Sequence, residues 1–150
     1  MNFTTFLSQL ADVLQFTALF PDKHGACLVV MKESHLPLLF EFDDRLVPNT
    51  ILLSTPLSRL TAGHERKFFV ESLKGNYLLE ETLSMKSDDE LFYLHRRLHP
   101  EIEAADLKLA LDQFITTAKA WREKFEKLGQ GEPTDGLLPP TNLKSFRFKV

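Results

Sequence analysis

Leu107, Leu111, Phe114, Ala118, Trp121, Phe125 and Leu128 recur in steps of four and three without a break. That spacing puts all of them on one face of a single long helix. Lys108, Asp112, Lys119, Glu123, Lys124 and Glu126 fill the intervening positions, so the opposite face is expected to meet water. Such a helix holds only where its stripe is buried, and the rest of the chain must supply the surface that receives it. The lone Trp121 stands late in the stripe, where a large flat side chain closes one end of a core. The feature is structural and brings no reactive group.

The remaining segments read as a mixture of helices and strands. Asn2 to about Thr17 is expected to be an amphipathic helix capped by Asn2, with Phe3, Phe6, Leu7, Leu10, Val13 and Leu14 on one side. Pro21-Asp22 stops the chain and turns it. Ala26 to Met31 is short, β-branched and continuously apolar, which predicts a strand buried on both faces. Pro37 opens a second strand, in which Leu38, Phe40 and Phe42 alternate with Leu39, Glu41 and Asp43. After a loop from Arg45 to Asn49, Ile51 to Thr55 forms a third strand that Pro56 is expected to end.

A second helix is predicted from Glu65 to about Leu79. Gly75 inside it costs about 1 kcal/mol relative to Ala, which points to close packing there. Leu83 and Met85 lie on a fourth strand, Ser87 to Glu90 form a hairpin tip, and Leu91 to Leu98 form a fifth strand. Pro100 precedes the long helix. The expected architecture is therefore α+β, one compact domain of order α-β-β-β-α-β-β-α, with an antiparallel sheet packed against helices. Residues 1–128 make up that domain. Residues 129–150 form a flexible tail, a Gly/Pro-rich linker followed by the short alternating segment Leu143 to Val150.

Composition narrows the possible tasks. A chain of 150 residues buries roughly two-thirds of its unfolded surface, as one domain. The net charge of −3 argues against a nucleic-acid binder. Thirteen Phe against two Tyr and one Trp supply apolar area without hydrogen-bonding handles, which suits a core or an adhesive surface. Cys27, the only cysteine, excludes an internal disulfide and fits a reducing compartment. The first residues lack the basic start and apolar run of a signal peptide, and no stretch approaches a membrane span. The expected address is the cytoplasm.

Candidate chemistry is sparse. His95 and His99 on a strand are about 13 Å apart, too far to share one zinc. Cys27 has no neighbour to depress its pKa and reads as a small buried hydrophobe. No serine sits in a strained Gly-x-Ser-x-Gly turn, and the glycines form no phosphate loop. Asp88-Asp89-Glu90 lacks the spacing of a calcium loop. The expectation is a protein that is not an enzyme, with no catalytic residue, metal or cofactor.

Several local patterns together resemble the class I type III secretion chaperones of bacteria, the Tir-chaperone family. Asp22-x-x-Gly25-x-Cys27-x-Val29 is similar to the turn that leads into that family's first strand. Ser54-Thr55-Pro56-Leu57-Ser58-Arg59-Leu60 is similar to the end of its third strand, with Ser58 where a Gly is usual. Leu73-Lys74-Gly75-Asn76 resembles the close of its second helix, and Leu107 through Trp121-Arg122 resembles its last helix. The resemblance spans about residues 3–128. Glu80-Glu81-Thr82-Leu83 departs from it by lacking the family's glycines.

The resemblance implies a homodimer in the bacterial cytoplasm that serves virulence by binding the extended N-terminal region of a secreted effector or regulator, keeping it stable and secretion-competent. Pairing with a related chaperone as a heterodimer is also open. Partners would be protein alone, without nucleic acid or membrane insertion. The apolar surplus suggests where. Phe3, Phe6, Leu7 and Leu10 of the first helix, with Leu38, Phe40 and Phe42 of the second strand, are the expected cargo groove. Phe68, Phe69, Leu73 and Tyr77, with Leu83 and Met85, are the expected dimer interface. The alternative is a small α+β domain that encloses an apolar small-molecule ligand.

Overall fold

The computed structural model describes residues 3–43, 49–78, 81–86 and 90–130. The Asn2 cap, most of the Arg45–Asn49 loop, the acidic hairpin tip before Glu90, the C-terminal strand-like segment and the side chain of Tyr77 lie outside the described residues. The elements are α1 (Phe3–Leu14), β1 (Ala26–Val30), β2 (Pro37–Asp43), β3 (Thr50–Arg59), α2 (Glu65–Leu78), β4 (Thr82–Lys86), β5 (Leu91–Leu98) and α3 (Ala104–Gly129). The strands form one sheet in the order β1-β2-β3-β5-β4, which leaves β1 and β4 at its edges. Pairing is antiparallel between β1 and β2, β2 and β3, and β4 and β5. This is the α+β order expected. All seven residues of the Leu107–Leu128 stripe are at most 2% exposed.

Two compact units divide these elements. The first comprises Met1–Ser54 and Arg96–Asp112. Its core forms on one face of β1 and β2 and the start of β3. The register Cys27↔Phe40, Val29↔Leu38 and Phe40↔Leu53 sets these side chains on a common face, and all are buried. From α1, Phe6, Leu7, Leu10 and Ala11 are buried as well. The Phe6 and Phe40 rings meet at 6.0 Å, while Phe3 lies 6.3 Å from Phe6 and 6.4 Å from Phe42. Gln9 donates its side-chain amide to the Ile102 carbonyl, tying α1 to the approach of α3.

Helix α1 stops three residues before the expected Thr17. Gln15 adopts a left-handed φ of 61°. Phe16 N–H bonds Ala11 O, and Gln15 N–H bonds Asp12 O, the two bonds of a Schellman stop. A Gln in the position usually given to Gly hid that stop. Strand β1 also departs from expectation. Ala26, Cys27 and Val29 are buried, whereas Leu28 is 62% and Val30 is 55% exposed. An edge strand with one covered face, not a strand enclosed on both, accounts for its continuous apolarity.

The second unit comprises Thr55–His95 and Gln113–Val150. Its centre is an aromatic cluster. Phe92 stacks on Phe125 at 4.9 Å, Phe68 meets Phe125 edge-on at 5.2 Å, and Trp121 lies 5.4 Å from Phe125. Gly75 of α2 faces Trp121 and Leu83 so closely that any Cβ would overlap them. Pro56 does not end β3, which runs on to Arg59. Pairing with β2 stops at Ser54, so the N–H that Pro56 lacks costs no bond to β2. The Pro56 carbonyl accepts two bonds from the Arg122 guanidinium at 3.2 and 3.0 Å. Lys124, expected in water, is 2% exposed. Its Nζ pairs with Glu71 Oε2 at 2.8 Å and sits 5.0 Å above the Trp121 ring.

Candidate functional site

Most of the expected cargo groove is core. Phe6, Leu7, Leu10, Leu38 and Phe40 are each fully buried, because α1 lies on the very face of β2 that carries Leu38 and Phe40. They hold the first unit together and are not a free surface. Phe3 is half-buried and Phe42 is 40% exposed, so only these two, the outer end of the ring series, reach the surface.

The exposed apolar surface of this unit is the other face of the same strands. Leu28 stands opposite Leu39, and Val30 opposite Pro37, with Leu39 and Pro37 half-buried. Sequence reasoning passed over Leu28 and Val30. The signal was the lack of alternation in Ala26–Met31, which fits an exposed apolar face as well as a buried one. Phe20, 77% exposed, adds a large apolar side chain ahead of β1.

The backbone of β1 is as informative as its side chains. Asp22 Oδ1 accepts the N–H groups of His24 and Ala26 at 2.8 and 3.0 Å, and Asp22 N–H bonds Ala26 O at 2.7 Å. Those backbone hydrogen bonds hold the Asp22 carboxyl below its ordinary range. At the other end, Met31 N–H bonds Leu36 O across the hairpin. Bonding alternates along an antiparallel strand. Ala26 therefore turns its N–H and C=O away from β2, and so do Leu28 and Val30. The position of Pro37 opposite Val30 agrees, since a proline has no N–H to offer there. The Asp22 turn satisfies Ala26. Leu28 and Val30 present their backbone groups on the open side of the sheet.

The opposite edge is obstructed. Asn76 of α2 donates Nδ2 to Leu83 O at 3.0 Å and accepts Leu83 N–H on Oδ1 at 2.6 Å. A side-chain amide thus stands in for a neighbouring strand at β4. The β1 edge, with Leu28 and Val30, turns two alternate residues outward without such a cap.

Helix α2 carries a second apolar surface. Leu73 is 71%, Phe69 40% and Val70 39% exposed, and the spacing puts these three on one face. Of the expected dimer set, Phe69 and Leu73 are therefore at the surface, Met85 is half-buried, and Phe68 and Leu83 are buried. Phe68 belongs to the aromatic cluster and Leu83 to the contact with Gly75. Val70 joins the surface set, although it is not among the residues expected at the interface.

The two histidines of β5 and the turn after it have structural partners. His95 bonds Ser84 Oγ at 2.5 Å and stacks on Tyr93, while His99 Nδ1 accepts Glu101 N–H at 3.1 Å. Cys27 is buried, and burial, with the Asp22 charge, pushes its thiol up. Among the described residues no group of three or more His, Cys, Asp and Glu could hold a metal ion. No helix among them is long and apolar enough to cross a membrane.

Comparison with known proteins places this geometry in context. The model of the Tir chaperone protein (CesT) family matches residues 5–122. No curated protein sequence matches. Among solved structures, the chain is similar to one from the HopA1-SchA chaperone-effector complex, with 17% identity over 81% of this chain and 93% of that one and a TM-score of 0.65. It is similar to a chain of the Yersinia pestis complex of the type III secretion chaperone SycH with a stable fragment of YscM2, with 12% identity over 80% and 99% and a TM-score of 0.59. A chain of the heterodimeric ExoU-SpcU complex from the type III secretion system of Pseudomonas aeruginosa shares 19% identity over 93% and 100%, with a TM-score of 0.54. At these identities the shared property is the fold.

Proposed function

The chain belongs to the Tir chaperone protein (CesT) family, and on that premise we propose that it is a bacterial type III secretion chaperone acting in the cytoplasm. It binds the extended N-terminal region of a secreted effector or regulator and keeps that segment stable and secretion-competent, without catalysing a reaction. The observation that carries this reading is the β1 edge, with the outward backbone groups of Leu28 and Val30 beside their exposed side chains. An extended segment laid there gains main-chain hydrogen bonds and sets alternate side chains against Leu28, Val30, Pro37 and Leu39. Binding of this kind leaves the cargo unfolded, which is what export requires. Residues 1–128 supply the binding domain, and the exposed stripe of α2 seats a second copy or a related chaperone.

The test pairs capture with substitution. Tagged protein expressed in its native bacterium is purified, and co-purifying chains are identified by mass spectrometry. The double variant Leu28→Asp/Val30→Asp keeps the circular dichroism of the parent, because both side chains are already exposed. It weakens the captured cargo by about tenfold or more, as loss of central apolar anchors does. Glu33→Ala, also at the surface, retains it. A folded double variant that holds cargo as tightly as the parent would sink the β1 site.

A further inference from the structure

We propose that the segment joining α1 to β1 is a strap that closes on the β1 edge, with Phe20 paired to Leu28 and Ala18 to Val30. Both ends of the segment are fixed, and both belong to the first unit. Its start is held by the bond from Phe16 N–H to Ala11 O. Its finish is held by Asp22, whose N–H bonds Ala26 O while its Oδ1 accepts Ala26 N–H. The ring contacts Phe3–Phe42 and Phe6–Phe40 set the direction of α1, which advances along β2 from Phe42 toward Leu38. Leu38 stands opposite Val29, so α1 ends toward the Val30 end of β1. The chain must then travel back the length of β1 to reach Asp22 at the Ala26 end. It runs antiparallel to β1.

Asp22 and Ala26 already form the first rung of such a pair. Bonded rungs recur at every second residue of an antiparallel pair. The next two therefore join Phe20 to Leu28 and Ala18 to Val30, the β1 residues whose backbone groups point outward. Pro21 falls between rungs, where an N–H would point away from β1, so its missing donor costs no bond. Exposure along the segment alternates as in a strand, with Ala18 exposed, Leu19 half-buried and Phe20 77% exposed. Opposed residues share a face, so closure sets Phe20 on Leu28, itself 62% exposed, and covers both. Among the described residues these two further rungs are not formed, and the structure holds the strap open. Closed, it shields a bare sheet edge and places Pro21 on the new one. That cargo must displace it rests on the function proposed above; closure itself does not.

Amide hydrogen exchange on the full chain, without cargo, tests closure. The Leu28 and Val30 amides exchange at least about tenfold more slowly in the parent than in Ala18→Pro/Phe20→Pro, which removes both strap donors. The Cys27 and Val29 amides, directed to β2, exchange alike in both. Equal exchange at Leu28 and Val30 overturns the proposal. So does protection that rises with protein concentration, since the strand would then come from a second copy. Cysteine pairs in a Cys27→Ala background read the register independently. Phe20→Cys/Leu28→Cys oxidises to a disulfide, because a bonded rung brings the Cα atoms to about 5.5 Å, whereas Phe20→Cys/Val30→Cys stays reduced. Equal behaviour of the two pairs overturns the register. None of these measurements involves cargo, so their failure leaves the chaperone reading to its own test with Leu28→Asp/Val30→Asp.

Discussion

A Cβ built on Gly75 would lie 2.7 Å from Trp121 Cη2 and 2.8 Å from Leu83 Cδ1. Neither neighbour can yield easily, because Trp121 is fully buried and Leu83 is 4% exposed. Replacing Gly by Ala in a helix ordinarily gains about 1 kcal/mol. Here overpacking, which typically costs 1–3 kcal/mol, acts against that gain and outweighs it. Gly75→Ala is therefore expected to lower stability by up to about 2 kcal/mol, measured as a lower urea midpoint at unchanged slope. A midpoint above the parent's would mean that Trp121 moves freely. The need for a small residue here was legible from a glycine inside a helical pattern. Its partners were not, since Trp121 lies 46 positions further along the chain. Lys124 was misread for the same reason: helical spacing gives a direction around α3, whereas Glu71, which makes burial of that ammonium tolerable, comes from another helix.

Helix α2 shows what an element gains from two apolar faces. Phe68, Ser72 and Gly75 face inward, while Phe69, Val70 and Leu73 face outward. Glu71 lies between them and receives Lys124 at 2.8 Å and Lys74 at 3.4 Å. Burial pushes the Glu71 carboxyl up, but the hydrogen bond and charge of Lys124, with Lys74, outweigh it and hold the group below its ordinary 4.5. A carboxylate depressed in the folded state contributes stability above its unfolded pKa and loses it as pH falls through the folded value. Stability is thus expected to be level in this respect above about pH 5 and to decline below 4.5. Glu71→Gln should lower stability at pH 7 and flatten part of that acid decline. Urea titrations from pH 7 to pH 3.5 measure both effects. An acid slope identical to the parent's would remove Glu71 as a contributor.

At the scale of the whole molecule, the α2 surface is expected to set the assembly. A stable dimer buries on the order of 2,000 Å², and truncation of one central apolar anchor commonly costs it 2 kcal/mol or more. Light scattering of the parent at micromolar concentration is expected to give about twice the 17.2 kDa of one chain. Leu73→Asp should shift it to the single-chain mass with the fold intact, because Leu73 is 71% exposed within one chain. A parent that scatters as one chain at every concentration would refute this interface.

The sequence by itself determined the element order, the buried stripe of α3 and the presence of more apolar surface than a core of this size hides. Each follows from local periodicity, which needs no knowledge of neighbours. Only the tertiary structure decided which apolar residues face outward. Phe6 and Leu28 are equally apolar on paper, yet one is sealed and the other is 62% exposed. The difference lies in where α1 rests and in β1 being the last strand of its sheet. Both are set by contacts between distant segments, and so is the bond by which Asn76 obstructs one sheet edge and leaves the other open.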